Sequence, residues 1–230
     1  IYVMKGTEKR MKYYNISKNI IACENFLPKD KVEEIYTDFL NNRTKFNISG
    51  WSKKINNNLK KAQFIDTKEF FSPSCGGFDF WVNWEEAKKA DSFITAAGHW
   101  ISTEGLWNYA SENNLHLFSL LERRVQWNMH VVSYNNGGYY GWHKDSHNSN
   151  LFTFNLVFNK ANKLKGGNLL FMDEGKIIEI PNKNNFFCVF PSFVSHAITP
   201  LYSEDNKDVS FLEQRFSVQF WTSLTPSFSK

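Results

Sequence analysis

A series of short strand-like segments in the second half of the chain constrains the fold more than any other feature. Apolar and aromatic runs of strand length alternate there with turn-forming residues; the runs cover residues 125–134, 151–158, 168–171, 177–180, 186–190, 194–198 and 214–221. Short strands at this regular spacing are typical of β-sandwiches and β-barrels. The aromatic content of 17% favours the same architecture, because aromatic side chains fit a pleated, half-buried surface.

The first half of the chain combines helical periodicity with short strand-like pieces. Residues 19–23 form a strand-like run, and an amphipathic helix then extends to about Leu40, with Pro28 at its entry. Its apolar residues recur at helical spacing at Val32, Ile35, Tyr36, Phe39 and Leu40. Helices are also predicted over residues 85–97 and 104–123. The aromatic run 78–84 either lines a substrate groove or packs into the core.

The length of 230 residues is sufficient for one full hydrophobic core, so a single domain is predicted. It is of the α+β class but mainly β. We expect a flexible leader over residues 1–15, a helical and mixed support region over 16–124, and a jelly-roll core over 125–222.

Charge and cysteine use narrow the classes of function. The net charge is only +4 and the basic residues are scattered, which argues against a dedicated nucleic-acid surface. Cys23, Cys75 and Cys188 are widely separated and form no Cys-x-x-Cys pair, which indicates reduced thiols and a cytoplasmic location. The chain shows no signal-peptide pattern and no apolar run of membrane-spanning length, so no membrane association is expected.

The main chemical signal is the sequence His143-Lys144-Asp145. On a strand, residues i and i+2 point to the same face, so this imidazole and carboxylate could bind one metal ion together. His196 offers a third ligand, and two histidines with one carboxylate form the facial triad that holds non-haem Fe(II). Arg215 and Ser217 share one face of the last strand, where a buried guanidinium would need an anion such as a dicarboxylate.

The order of these motifs resembles that of the Fe(II)/2-oxoglutarate-dependent dioxygenases, most closely their prolyl 4-hydroxylase-like branch. The similarity covers about residues 126–221, with an Asn-Phe-Leu sequence at residue 25 that looks like the family's entry to its first support helix. Matching positions are Tyr134, Gly137, Gly138, Tyr140, His143, Asp145, the strand 151–159, the turn 166–169, the segment 190–200 and the triplet 215–217. The resemblance implies a double-stranded β-helix, that is, a jelly-roll or cupin-like core.

The resemblance also implies the site residues and the reaction. Fe(II) would be bound by the catalytic residues His143, Asp145 and His196, and 2-oxoglutarate by Arg215, Ser217, Tyr134 and Tyr140. Dioxygen would be the second co-substrate, with ascorbate as an auxiliary reductant. The implied reaction hydroxylates an unactivated C–H bond, that of a prolyl residue in a peptide or protein, while 2-oxoglutarate becomes succinate and CO2.

Two alternatives to this function stay open. The same chemistry could act on a free amino acid, a nucleobase or another small molecule, although no basic groove with interleaved aromatic residues supports a nucleic-acid substrate. A non-catalytic, cupin-like metal-binding module is the alternative of a different class.

Several other residues compete for roles in the site. Collagen-type prolyl hydroxylases carry Lys at the anchor position, but Lys207 lies in the polar stretch 202–210, which resembles an inserted hairpin loop, and is expected at the surface. His147 is a rival metal ligand in an Asn-rich setting. Trp142 either borders the substrate channel or packs at its rim. The remaining histidines, expected to be structural, are His99, His116 and His130.

Overall fold

The computed structural model describes residues 12–48, 78–81, 104–123, 126–146 and 150–223. Its strands are β1 (Tyr13–Ser17), β2 (Ile20–Glu24), β3 (Asn47–Ile48), β4 (Phe78–Trp81), β5 (Gln126–Tyr134), β6 (Tyr140–His143), β7 (Asn150–Phe158), β8 (Leu164–Gly166), β9 (Leu169–Asp173), β10 (Lys176–Ile180), β11 (Phe186–Pro191), β12 (Ser195–Ile198), β13 (Leu201–Ser203) and β14 (Arg215–Ser223). Its α-helices are α1 (Lys29–Asn41) and α2 (Glu104–Glu112), and 3-10 turns cover Arg43–Lys45, His116–Arg123 and Phe211–Glu213.

Two antiparallel sheets form the core of the fold. The larger sheet has eight strands in the order β1-β2-β11-β7-β14-β5-β4-β3, and the smaller has four in the order β10-β9-β12-β6. This is the predicted jelly-roll, a double-stranded β-helix supported by helices. The larger sheet also recruits β1 to β4 from the part of the chain before the predicted jelly-roll core.

Both faces of the larger sheet contribute to apolar layers, which explains its Phe-rich strands. One apolar layer lies between the two sheets and includes Val132, Val157 and Phe190 from the larger sheet and Phe171 and Ile198 from the smaller. The other layer lies between the larger sheet and the helices. It includes Val32, Ile35, Tyr36 and Phe39 of α1, Leu106 and Ala110 of α2, and Phe216, Val218 and Phe220 of β14.

Strand β14 shows the alternation predicted for an extended segment. Phe216, Val218 and Phe220 face the helical layer, and Phe216 stacks on Phe39 with ring centroids 4.3 Å apart. The intervening residues, from Arg215 onward, therefore face the space between the sheets. This face carries the polar side chains of the candidate site.

The predicted helix over residues 104–123 is wrong in its length, because it is divided after Glu112. Asn114 adopts the left-handed conformation with φ 55°, which asparagine tolerates better than most residues. Its N–H donates to the Ser111 carbonyl and the Leu115 N–H donates to the Ala110 carbonyl. This is the Schellman pattern of hydrogen bonds that ends a helix, and a 3-10 turn follows.

Three smaller expectations also need correction or remain outside the described residues. Helix α1 ends as predicted, but Leu40 is 48% exposed rather than part of the core. Residues 13–15, expected in the leader, belong to β1. The predicted helix over residues 85–97 lies outside the described ranges, and of the aromatic run 78–84 only the backbone of β4 is described.

Cysteine use and helix length give two further observations. Cys23 and Cys188 are buried free thiols, whereas Cys75 lies outside the described ranges. None of the helices in the described ranges is long and apolar enough to cross a membrane. The cytoplasmic location stays a prediction.

Candidate metal centre and anion pocket

Strands β6 and β12 place His143 and His196 side by side in the smaller sheet. The two are register partners, and their ring centroids lie 4.1 Å apart. His143 Nδ1 lies 2.8 Å from the Gly141 carbonyl oxygen, and His196 Nδ1 lies 3.1 Å from that of Val194. Because a carbonyl oxygen only accepts, each Nδ1 carries a proton, and Nε2 of each ring is left to face the site.

Asp145 completes a cluster of three metal-ligating groups. Its Oδ1 lies 3.5 Å from His143 Nε2, and its Oδ2 lies 3.4 Å from His196 Nε2. The three ligand atoms are all within 4.8 Å of one another. The structure thus brings together the three residues that the sequence predicted as ligands.

The expectation that His143 and Asp145 share one face of a single strand is wrong. Strand β6 ends at His143, so Asp145 is not on the same strand. Its backbone N–H donates instead to the Ser192 carbonyl, 2.9 Å away in the turn after β11. The chain therefore leaves the sheet at Lys144, and this departure directs the carboxylate between the two imidazoles.

The Asp145 side chain is oriented by residues that the sequence did not single out. Thr153 Oγ1 on β7 donates to Asp145 Oδ2 at 2.9 Å. Since this uses the only proton of that hydroxyl, Ser192 Oγ must donate the 3.1 Å bond to Thr153 Oγ1. Asn150 Nδ2 also donates to the Asp145 carbonyl oxygen at 3.0 Å. The larger sheet thereby holds the carboxylate against the smaller one.

The electrostatics of Asp145 suit a metal ligand. Burial alone would raise the pKa of its carboxyl, but the imidazoles of His196 and His143 and the indole of Trp221 lower that pKa below its ordinary value. The carboxylate is therefore charged at neutral pH. His196 Nε2 is buried and has no hydrogen bond in the described part of the chain. Two imidazole nitrogens and one carboxylate oxygen in this arrangement fit Fe(II).

Arg215 forms an anion pocket on the inner face of the larger sheet. Its side chain is fully buried; Nε donates to the Gly167 carbonyl oxygen at 3.2 Å, and Nη1 donates to Ser217 Oγ at 2.7 Å. Nη2 has no hydrogen-bond partner among the described residues. Burial lowers the pKa of Arg215 to about 10, with Tyr134 and Cys188 opposing the shift, so the group is a cation at neutral pH.

The glycine turn between β8 and β9 makes room for this cation. Gly167 has φ +69°, and a Cβ there would lie 3.0 Å from Arg215 Cδ and 2.9 Å from Asn182 Nδ2. A Cβ on Gly166 would lie 2.1 Å from the Pro200 carbonyl oxygen. Both positions therefore require glycine, which agrees with the turn motif noted in the sequence.

The two predicted tyrosines lie at opposite ends of the site. Tyr140 stacks on His143 with ring centroids 3.9 Å apart and an interplanar angle of 14°, so it contacts a ligand ring. The Tyr134 ring lies 5.2 Å from Arg215 Cζ, beside the anion pocket. Their co-substrate roles stay predictions.

The competing residues lie elsewhere or are not described. Lys207 is exposed at the surface, 3.4 Å from Asp205, as expected. His116 is exposed, while His130 is buried and stacks on Trp221 with centroids 5.9 Å apart. Trp142 is half-buried. His99 and His147 lie outside the described ranges.

The polar stretch 202–210 is not simply an inserted loop. Its first residues belong to β13, which pairs with β8 in a two-stranded sheet. Asn135 ties its far end to the site region, since its Nδ2 donates to the Val209 carbonyl oxygen at 3.1 Å and its Oδ1 accepts from the Val209 N–H at 2.9 Å.

Comparisons with known proteins agree with this geometry. Residues 129–223 match the sequence model of the 2OG-Fe(II) oxygenase superfamily. No match was found among curated protein sequences. A Pseudomonas putida prolyl-4-hydroxylase structure superposes with a TM-score of 0.58 at 16% identity, covering 90% of this chain and 93% of that one.

Two further solved structures give similar scores. A Trichoplax adhaerens prolyl hydroxylase, in complex with a hypoxia inducible factor oxygen degradation domain peptide, has a TM-score of 0.57 at 17% identity and covers 90% of this chain and 84% of its own. The structure of OsALKBH1 superposes with a TM-score of 0.56 at 11% identity, covering 91% of this chain and 99% of that one. At these identities the likeness shows a shared fold.

Proposed function

We propose that this chain is a dioxygenase dependent on Fe(II) and 2-oxoglutarate, because residues 129–223 match the sequence model of the 2OG-Fe(II) oxygenase superfamily. It hydroxylates an unactivated C–H bond, with a prolyl residue of a peptide or protein as the proposed substrate. Its ligands are His143, Asp145 and His196, and its co-substrate anchor is Arg215 with Ser217.

One observation carries this proposal: the space between the sheets holds a candidate metal-ligand triad and a buried cation for which the described residues provide no counter-ion. Burying an unpaired guanidinium is costly, and none of the described carboxylates forms an ion pair with Arg215. A dicarboxylate with one end at the triad and the other at Arg215 would supply the missing charge. The Nη2 and the Ser217 hydroxyl can both bond its far carboxylate.

The chain's own residues supply binding, orientation and exclusion of water. Fe(II) bound at the triad would let dioxygen oxidise 2-oxoglutarate to succinate and CO2 and hydroxylate the substrate. Thr153 holds the Asp145 carboxylate, and the stacked Tyr140 ring limits rotation of the His143 imidazole. Phe171 and Phe190, whose ring centroids lie 4.9 Å apart, wall this end of the space with apolar surface.

The prolyl substrate rests on the similar structures. Two of them are prolyl hydroxylases by name, and one is in complex with a peptide. We propose that a peptide approaches the triad near Trp142, which is half-buried and precedes His143. Ascorbate is proposed as an auxiliary reductant that sustains turnover.

The test is to incubate the protein with Fe(II), 2-oxoglutarate, ascorbate and a library of proline-containing peptides. Succinate formation, with a mass gain of one oxygen atom on a proline, is expected. Succinate with oxygen on a free amino acid instead would support the small-molecule alternative. Metal binding with neither 2-oxoglutarate binding nor succinate would support the non-catalytic module.

A further inference from the structure

A pair of buried carboxamides lies on the inner face of the larger sheet, between the metal-ligand triad and Arg215. Asn155 on β7 and Gln219 on β14 are register partners on adjacent antiparallel strands. They are 1% and 2% exposed, respectively. Side chains directly opposite each other in this way lie close enough to interact.

The register of the strands places this pair between the two halves of the site. On β14, alternate residues share a face, so Gln219 lies between Ser217, which accepts from Arg215, and Trp221, whose indole contributes to the low pKa of Asp145. On β7, Asn155 lies two residues after Thr153, which donates to Asp145 Oδ2. A ligand that spans the site would therefore pass over the pair.

The hydrogen-bonding capacity of the pair is not fully used. Asn155 Oδ1 is buried and has no hydrogen-bond partner in the described part of the chain. Burying an acceptor without a partner costs free energy, and an apolar residue would fit better beside Val157, which follows two residues later on the same face of β7. An amide N–H of Gln219 can satisfy Asn155 Oδ1, and the remaining N–H groups of the pair are then donors for a ligand that accepts hydrogen bonds.

We propose that Asn155 and Gln219 are positioning residues for the co-substrate, 2-oxoglutarate. This inference rests on the proposed function. In this arrangement, Gln219 Nε2 donates to Asn155 Oδ1, and the remaining amide N–H groups donate to the metal-proximal carboxylate of 2-oxoglutarate. Arg215 and Ser217 bind the far carboxylate, so the two ends are held independently. The neutral amides supply donors without adding charge.

The test measures 2-oxoglutarate binding to the Mn(II)-loaded protein by calorimetry, without turnover. The variants are Asn155→Leu and Gln219→Met, which keep the side-chain size and remove the amides. Each should weaken the Kd for 2-oxoglutarate by about tenfold or more, while the Kd for Mn(II) alone stays at the wild-type value. A residue that only supports the fold would not separate these two constants.

A matched control comes from the same strand. Thr222 on β14 is 1% exposed, and its hydroxyl also lacks a hydrogen bond among the described residues, but it faces the helical layer. Thr222→Val should leave 2-oxoglutarate affinity unchanged.

Two outcomes would overturn the inference. If both carboxamide variants bind 2-oxoglutarate as tightly as the wild type, the pair does not position it. If the wild type itself binds Mn(II) but no 2-oxoglutarate, the proposed function fails together with this inference.

Discussion

Replacing Arg215 with Met separates a binding role from a structural one. The substitution keeps an unbranched apolar stem in the same space but removes the cation. If Arg215 exists to bind a dicarboxylate, the variant should lose 2-oxoglutarate affinity and keep its stability. A structural arginine would show the opposite pattern.

The expected stability follows from the burial of the charge. The pKa of Arg215 is lowered from 12.5 to about 10 by burial, which corresponds to a cost of about 3 kcal/mol for holding the cation in the folded protein. Arg215→Met removes this cost but leaves the Gly167 carbonyl and the Ser217 hydroxyl without their donor, at about 1 kcal/mol each. The free energy of unfolding of the metal-free protein should therefore stay within about 1–2 kcal/mol of wild type or rise.

The effect on binding should be much larger. Breaking a buried, charge-assisted contact costs about 3–5 kcal/mol, so 2-oxoglutarate affinity should fall by at least about a hundredfold. Calorimetry on the Mn(II)-loaded protein measures the affinity, and urea denaturation without ligand measures the stability. Arg43→Met is the control, because Arg43 is an exposed cation that lies over the Phe211 ring. Retained affinity together with a large loss of stability would refute the binding role of Arg215.

Three further perturbations test other parts of the site. Thr153→Val should weaken Mn(II) affinity by about tenfold or more, because the Asp145 carboxylate loses its hydrogen-bond donor. Thr153→Ser keeps the hydroxyl and should keep wild-type affinity. Equal Mn(II) Kd values for the two variants in calorimetry would contradict this role of Thr153. Gly167→Ala should lose more stability in urea denaturation than Gly175→Ala, since both glycines have positive φ but only the Cβ at Gly167 would meet Arg215. The Gly175 variant should lose about 1–2 kcal/mol of unfolding free energy. Equal losses in the two variants would count against the close approach of Arg215 to Gly167. Asp145→Ala should abolish succinate formation while the far-UV circular dichroism spectrum is retained, and normal turnover would place the site elsewhere.

Motif order was sufficient to predict which three side chains come together, although the local geometry assumed for them was incorrect. His143, Asp145 and His196 come together as expected from their order in the chain. The assumption that His143 and Asp145 share a strand failed because the turn after β11 provides a backbone acceptor for the Asp145 N–H, through Ser192. A contact between segments so distant in sequence is not visible in a local pattern.

The residues that support the ligands depend on strand order. Thr153 reaches Asp145 only because β7 lies beside β11 in the larger sheet, and periodicity does not determine which strands are neighbours. Asn155 did leave a local signal, since it is the one carboxamide within the apolar run 151–158. That signal can be interpreted only once β7 and β14 are paired.

The division of the predicted helix 104–123 had a visible signal that helical periodicity obscured. Asn113 and Asn114 lie in its middle, and asparagine is among the residues that end helices in a left-handed conformation. The apolar residues after this point continue at a spacing that also fits a 3-10 turn, so periodicity alone predicts one long helix.

The central claim is that one dicarboxylate links the triad to Arg215. A crystal structure of the protein with Mn(II) and 2-oxoglutarate, prepared without oxygen, tests it most directly. The account predicts a metal ion bound by His143, Asp145 and His196, with the far carboxylate of 2-oxoglutarate on Arg215 Nη2. A metal ion bound elsewhere, or a carboxylate that does not contact Arg215, would contradict it.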